Sequence, residues 1–142
     1  MSTQTTATVR VKHRFTTSPE RVFDAWLDPA KARRFLFAEP TGQMVRAEID
    51  PRVGGHFTLT DRRDGEDVDH TGEYLEIERP RRLVFTFMVP KYSSVVTRVT
   101  IDIVPLESGC ELTLTHEGVL KEYEEGSKEG WSGILAALAT IS

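Results

Sequence analysis

The sequence predicts an α+β fold in which one antiparallel sheet packs against helices. A strand-like segment near the N-terminus is followed by two short helical segments. Apolar and polar residues then alternate through most of residues 44–116, which is typical of half-buried strands. The last segment returns to the three-and-four spacing of an amphipathic helix.

The first strand follows a polar tail that comprises residues 1–6. Apolar positions between Val9 and Phe15 alternate with three basic residues. Because successive side chains on a strand point to opposite faces, one face of this strand is expected to be basic and exposed to solvent. A single domain is expected over residues 7–142.

Two helix start signals come next. Ser18 and Pro19 match an N-cap residue followed by a first-turn proline. Asp28 and Pro29 repeat this signal, and they predict a second short helix that ends near Phe37. Both helices therefore interrupt the series of strands.

A meander of strands is predicted from Met44 onward. The pair Asp64-Gly65 is a hairpin turn signal within a polar tip. Residues 83–89 are apolar on both faces of the predicted strand, which favours a central position in the sheet. Two further alternating segments follow, and the second of them ends at His116. The sheet is therefore expected to have about seven strands.

A long amphipathic helix is predicted from about Lys121 to the end of the sequence. Its apolar residues recur at helical spacing, and they are Trp131, Ile134, Leu135, Leu138 and Ile141. Glutamates occupy its first turns, where the positive end of the helix dipole stabilises them. One face of the sheet must be buried against this helix.

Length and charge narrow the classes of protein. The chain has 142 residues, which is the length of one domain. Its net charge is −4, whereas a nucleic-acid-binding surface is basic, so no nucleic acid partner is expected. The N-terminus has no basic start followed by an apolar run, and no stretch of about 18 apolar residues occurs. We therefore expect a soluble cytoplasmic protein without membrane insertion.

Several segments resemble a known family when they are taken together in order and spacing. They are SPERVFDAWLDPAKARRFL, DPRVGGHF, GEYLEIERPRRLVFTF, TRVTIDIVPLESGCELTLTHEG and GWSGIL. They resemble the Hsp90-ATPase-activator-homologue-1-like branch of the START-like (SRPBCC) superfamily, from about Val9 to Leu138. The resemblance implies the helix-grip fold. In that fold a curved antiparallel sheet wraps a long C-terminal helix, with a hydrophobic cavity between them and two short helices near the cavity mouth.

The resemblance leaves three functions open, because one fold carries many activities. The first is non-enzymatic binding of a hydrophobic small molecule in the cavity between sheet and helix. The second is a cyclase or hydrolase type of enzyme that uses the same cavity. The third is a co-chaperone-like module that contacts Hsp90. Eukaryotic activators of Hsp90 carry a separate N-terminal domain that is important for stimulating the ATPase, whereas only about eight residues precede the first strand here. Activation in that manner is therefore not expected.

The candidate cavity residues are mostly aromatic, since apolar walls suit a small-molecule site. They are Trp26, Phe35, Phe57, Tyr74, Phe85, Phe87, Trp131 and Leu135. The alternative is that these side chains simply fill the core. Tyr74 would offer a hydroxyl to a ligand, and Arg98 would offer a charge if its strand face turned inward.

A stripe of small residues runs along one side of the predicted last helix. Gly126, Gly130, Gly133 and Ala137 are spaced by four, three and four residues. Glycine within a helix costs about 1 kcal/mol relative to alanine, so this stripe requires a compensating reason. Either another element packs closely here, or the missing side chains at Gly130 and Gly133 leave room for a ligand.

His116 is the best candidate for a catalytic acid or base, and Tyr74 is a weaker candidate for the same role. Glu117 follows His116, but neighbouring strand residues point to opposite faces. The structural alternative is that His116 forms hydrogen bonds with the backbone where the last strand passes into the helix. If the cavity is catalytic, its carboxylate would be Glu73 or Asp102.

No metal or cofactor is expected. The four histidines lack metal-ligand spacing, and the sequence contains no nucleotide-binding or nucleophile motif. Cys110 alternates with leucines, which favours a buried and unreactive thiol. The protein is expected to be a monomer or a homodimer that pairs through a sheet edge.

Overall fold

The computed structural model describes residues 6–35, 43–63, 65–90 and 95–141. The strands are β1 Thr6–Phe15, β2 Gln43–Ile49, β3 His56–Arg63, β4 Glu66–Glu78, β5 Arg82–Phe87, β6 Thr97–Leu106 and β7 Gly109–Leu120. The α-helices are α1 Pro19–Leu27, α2 Pro29–Phe35 and α3 Glu124–Ile141, the last preceded by a 3₁₀ turn at Lys121–Tyr123. This order confirms the predicted α+β class.

All seven strands form one antiparallel sheet with the order β1-β7-β6-β5-β4-β3-β2. Strands β2 to β7 form a meander, and β1 pairs with β7, for example at Val11 and Leu114. Register shifts interrupt three of the pairings, including one between Tyr74 and Glu76 in β4. Such bulges bend a strand and increase its twist, which helps the sheet to curve.

The core lies on the concave face of this sheet. The inward positions of the long strands are fully buried, as Ile101 in β6 and Leu114 in β7 illustrate. Helix α3 covers them with Trp131, Leu135 and Leu138, all of which belong to the core cluster. Helix α3 packs against β1 and α2, while α1 packs against α2 and β6. This arrangement is the predicted helix-grip fold.

The helix starts follow the predicted chemistry. The Ser18 hydroxyl accepts a hydrogen bond from the Arg21 amide at 3.3 Å, and the Asp28 carboxylate accepts one from the Ala30 amide at 2.9 Å. The α-helical part of the last helix begins at Glu124, three residues after the predicted start, because the 3₁₀ turn comes first. The predicted helix end near Phe37 lies outside the described residues, and so do Asp64 and residues 1–5 of the predicted tail.

Gly72 in β4 allows a close approach of neighbouring strands within the sheet. A Cβ at this position would overlap the backbone oxygen of Thr86 on β5 and the ring of Phe57 on β3. Only glycine therefore lets the Phe57 ring come this close to the backbone of β4, where the ring also contacts the Tyr74 and Phe85 rings. In the part of the chain that the structure describes, no helix has the length and apolar character to cross a membrane.

Candidate functional site

An apolar groove of about 360 Å³ lies where the sheet meets the start of the last helix. One wall comes from the end of β5 and the residues around it, a second from the end of β7, and a third from the first turn of α3. The lining residues are Phe87, Met88, Val89, Val95, Thr97, His116, Gly118, Val119, Leu120, Tyr123, Gly126 and Ser127. The groove is partly open to solvent, so a ligand can reach it from the surface.

A chain of hydrogen bonds forms the inner wall of the groove. The indole N–H of Trp131 donates to Nδ1 of His116 at 2.9 Å. Since Nδ1 accepts, the neutral ring carries its proton on Nε2, which donates to Oγ1 of Thr97 at 2.6 Å. The Thr97 hydroxyl then donates to the backbone oxygen of Phe87 at 2.9 Å. Each donor in this chain therefore meets an acceptor.

These hydrogen bonds hold the His116 ring in one neutral tautomer. His116 is 4% exposed, and burial lowers its pKa from 6.5 to about 4. Both ring nitrogens bond to protein groups, so neither is available to exchange a proton with a substrate. Glu117 is exposed. The geometry favours the structural alternative for His116, with side chains rather than backbone as its direct partners.

Phe87 joins this wall to a second histidine. Its ring contacts the rings of His116 and Trp131 at centroid distances of 5.6 and 5.8 Å. It also stacks on His70 at a centroid distance of 6.1 Å, and Nδ1 of His70 lies 3.1 Å from the backbone oxygen of Leu59. Sequence reasoning missed His70 and Thr97. His70 shares the strand period of the buried Tyr74, which was the available signal.

Most of the other predicted aromatic residues line a separate inner cavity of only about 10 Å³. Its lining residues are Trp26, Ile49, Phe57, Leu59, Tyr74, Leu83 and Phe85. The Phe57 ring lies 5.6 Å from the Tyr74 ring and 5.4 Å from the Phe85 ring, centroid to centroid. Phe35 packs edge-on against Trp26 at 5.3 Å. These side chains thus fill the core against one another.

The polar atoms at the inner cavity are deeply buried. Tyr74 is 3% exposed, and burial, with a smaller contribution from nearby Asp50, raises the pKa of its hydroxyl far above the ordinary value. The phenol therefore stays protonated throughout the physiological range. The indole nitrogen of Trp26 is buried without a hydrogen-bond partner in the described structure.

The predicted cavity residues consequently divide into groups. Phe87 lines the groove, Trp131 supports its inner wall, and Leu135 lies on the buried side of α3 in the core. Arg98 is exposed and lies opposite Thr86 and Glu117 in the strand register. The structure therefore does not bring Arg98 to the groove.

The glycines of α3 also lie in different places. Gly130 and Gly133 are exposed and do not line the groove. A Cβ added at either position would meet only open space within 4 Å. Gly126 has the same open space and lines the groove. The space that the small-residue stripe leaves beside a candidate site is thus at Gly126.

The remaining candidates for catalysis or metal binding lie apart from the groove. The Asp102 carboxylate pairs with Arg82 at 3.2 Å, and Glu73 lies 3.8 Å from His56, with all four side chains partly or largely exposed. Burial raises the pKa of the Cys110 thiol, so it is a poor nucleophile. Among the described residues, no three His, Cys, Asp or Glu side chains converge on a metal-sized site.

Comparison with known proteins places this architecture in a family. Residues 16–142 match the family described as Activator of Hsp90 ATPase homolog 1-like protein. No curated protein matches the chain by sequence.

Solved structures share the fold along nearly the whole chain. Protein CV1439 from Chromobacterium violaceum is 27% identical, with a TM-score of 0.87 over 94% of this chain and 95% of that chain. Protein Mll3558 from Rhizobium loti is 26% identical, with a TM-score of 0.81 over 98% and 99% of the two chains. The AHSA1-like protein from Aeromonas hydrophila is 21% identical, with a TM-score of 0.80 over 94% and 90%.

The family match covers most of the sequence and agrees with the helix-grip fold that the described strands and helices form. It also agrees with the resemblance of the sequence segments. The chain therefore belongs to the Activator of Hsp90 ATPase homolog 1-like family.

Proposed function

We propose that the protein binds a hydrophobic small molecule in the groove between the sheet and the start of α3. The observation that carries this proposal is an apolar groove of about 360 Å³. Small-molecule sites typically have volumes of about 300 to 1,000 Å³ and mostly apolar walls with a few polar groups. A volume near the lower end suits one ligand of modest size.

The surroundings of the groove support this proposal. Val96, next to the lining residue Val95, is 59% exposed, and Tyr123 in the groove wall is 44% exposed. A bound apolar molecule would remove part of this surface from water, which is favourable. The hydrogen bonds of His116 already hold the side chains of the inner wall in place. Binding therefore does not lose the free energy that ordering these side chains would cost.

The arrangement of His116 favours binding over the cyclase or hydrolase alternative. A general acid or base needs a pKa near the operating pH and an available nitrogen. The pKa of His116 is about 4, and both of its nitrogens are hydrogen-bonded to protein side chains. The proposed role is therefore that of a carrier or sensor.

Two substitutions on one helix test the site. Gly126→Phe adds a ring where the groove is open, whereas Gly130→Phe adds the same ring at an exposed position outside the groove. We expect the apolar fluorescent probe N-phenyl-1-naphthylamine to bind the unmodified protein and Gly130→Phe equally. Binding to Gly126→Phe should be at least about tenfold weaker. Equal binding to both variants would place the probe elsewhere and contradict the proposal.

Native mass spectrometry provides a test that needs no chosen probe. Protein purified under mild conditions should show a mass excess that disappears on denaturation, and Gly126→Phe should lack it while Gly130→Phe retains it. A passenger retained by Gly126→Phe would lie outside the groove.

The family match favours a second candidate function, which is contact with Hsp90. Bacterial Hsp90 immobilised on a resin should retain the protein if this function holds, and should release it when soluble Hsp90 is added. Absence of retention at micromolar concentrations of both proteins would eliminate a stable contact. The groove variants distinguish the two functions, because a ligand function requires an open groove.

A further inference from the structure

We infer that the groove selects an uncharged amphiphile with one neutral hydrogen-bonding group, such as an alcohol, over a carboxylate of the same chain length. This inference rests on the proposed function and names the class of ligand for that site. It follows from the distribution of hydrogen-bonding groups and charges around the groove.

The inner wall offers a ligand no unsatisfied side-chain polar atom. Its polar side chains are Thr97 and His116, and each bonds to protein groups through the chain that runs from Trp131 to the Phe87 carbonyl. A polar group of the ligand placed here would lose its hydrogen bonds to water without replacement, which is unfavourable. The apolar part of the ligand therefore lies against this wall.

Two residues that carry a hydroxyl group line the groove beside the start of the last helix. Tyr123 and Ser127 are four residues apart and both line the groove. Tyr123 ends the 3₁₀ turn and Ser127 lies in the first turn of α3, so both residues border the same end of the groove. Neither hydroxyl forms a hydrogen bond to another described residue, and each can donate to or accept from a ligand. The polar group of the ligand is thus expected beside Tyr123 and Ser127.

The charges beside these hydroxyls disfavour an anion. Among the described lining residues none carries a formal charge. The segment 121–130, which supplies Tyr123 and Ser127, contains two lysines and four glutamates. Lys121 already pairs with Glu124 at 3.0 Å. The start of a helix contributes roughly half a positive charge, less than the net negative charge of this segment.

Competition between matched ligands tests this inference. Decanol and decanoate at pH 8 should each displace N-phenyl-1-naphthylamine, with decanol binding at least about fivefold more tightly at low ionic strength. The double variant Glu122→Gln/Glu125→Gln should narrow this difference, as should added salt, because salt screens charges near the surface. Ser127→Ala should weaken decanol binding, whereas Ser132→Ala, at an exposed position outside the groove, should not.

The outcomes separate this inference from the proposed function. Equal or tighter binding of decanoate, with both ligands lost in Gly126→Phe, would overturn the charge selection and leave the groove as the binding site. Failure of the probe and of both ligands to bind would overturn the inference and the proposed function together. An unchanged preference in the double glutamine variant would remove the charge argument even if decanol binds more tightly.

Discussion

The indole N–H of Trp131 lies 2.9 Å from Nδ1 of His116 and donates a hydrogen bond to it. This bond connects the middle of α3 to the last strand and sets the tautomer of the histidine. It also fixes the inner wall of the groove, because the other ring nitrogen then faces Thr97. One buried contact therefore serves both the stability of the fold and the shape of the candidate site.

Trp131→Phe tests the stabilising role of this contact. The substitution leaves Nδ1 of His116 buried without its donor, which costs about 1 to 3 kcal/mol in the free energy of unfolding. Urea denaturation of Trp131→Phe, His116→Leu and the double variant measures the coupling between the two side chains. We expect a coupling free energy above about 0.5 kcal/mol. Additive effects would show that the bond contributes no coupling.

Thr97 provides a test at the other ring nitrogen. Thr97→Val keeps the shape of the side chain and removes the hydroxyl that accepts from His116 and donates to the Phe87 carbonyl. We expect the free energy of unfolding to fall by about 1 to 3 kcal/mol. Thr97→Ser retains the hydroxyl and should recover most of the loss. A loss in Thr97→Ser as large as that in Thr97→Val would contradict a dominant role of the hydroxyl, because serine retains it.

The lowered pKa of His116 predicts a pH dependence of stability. In the unfolded chain the pKa is 6.5, and in the folded protein it is about 4. Between these values the unfolded state binds more protons, so stability rises with pH through this window and is lost as the pH falls from about 6.5 towards 4. The loss would reach about 3 kcal/mol.

His116→Gln removes this titration and is the control. The free energy of unfolding of the two proteins, measured from pH 4 to pH 7, should differ in slope by up to one proton. The NMR titration of the His116 ring in the native protein gives the folded pKa directly. Parallel stability curves for the two proteins would show that His116 protonates equally in both states.

Substitution by alanine should have opposite effects on the free energy of unfolding at Gly72 and at Gly130. Gly72→Ala forces a Cβ against the backbone oxygen of Thr86, which the sheet holds in place. We expect a loss above about 3 kcal/mol or no folded protein, as for other severe backbone conflicts. Gly130→Ala adds the same atom to an exposed helix position with open space, and should stabilise by about 0.5 to 1 kcal/mol. Thermal unfolding measures both, and a stable Gly72→Ala would contradict the close approach.

Much of the fold could be predicted because its signals are local. The Ser18 cap and the Asp28 cap each act within three residues, and both appear in the structure where the sequence places them. The two-residue period identified the buried side of most strands, including the Val99 to Ile103 segment. The 3₁₀ turn before α3 was missed, because the apolar residues that reveal the helical spacing begin only at Trp131 and leave the first turn unspecified.

Less of the candidate site could be predicted, because burial does not specify neighbours. The aromatic residues were expected to share one cavity, yet Phe87 lines the groove while Trp26, Phe57, Tyr74 and Phe85 enclose about 10 Å³. Arg98 was considered as an inward charge and is exposed, opposite Thr86 and Glu117 in the register. The glycine stripe was recognised, but its member at the groove is Gly126.

The sequence by itself determined the α+β class, the number of strands, the two helix starts after β1 and the buried face of the strands. Each of these follows from propensity or periodicity over a few residues. Only the tertiary structure decided that β1 closes on β7, that Trp131 meets His116, and that the groove opens beside Gly126. The physical reason is that hydrophobic burial is non-directional, so a period reveals which side chains leave water and not which ones they contact.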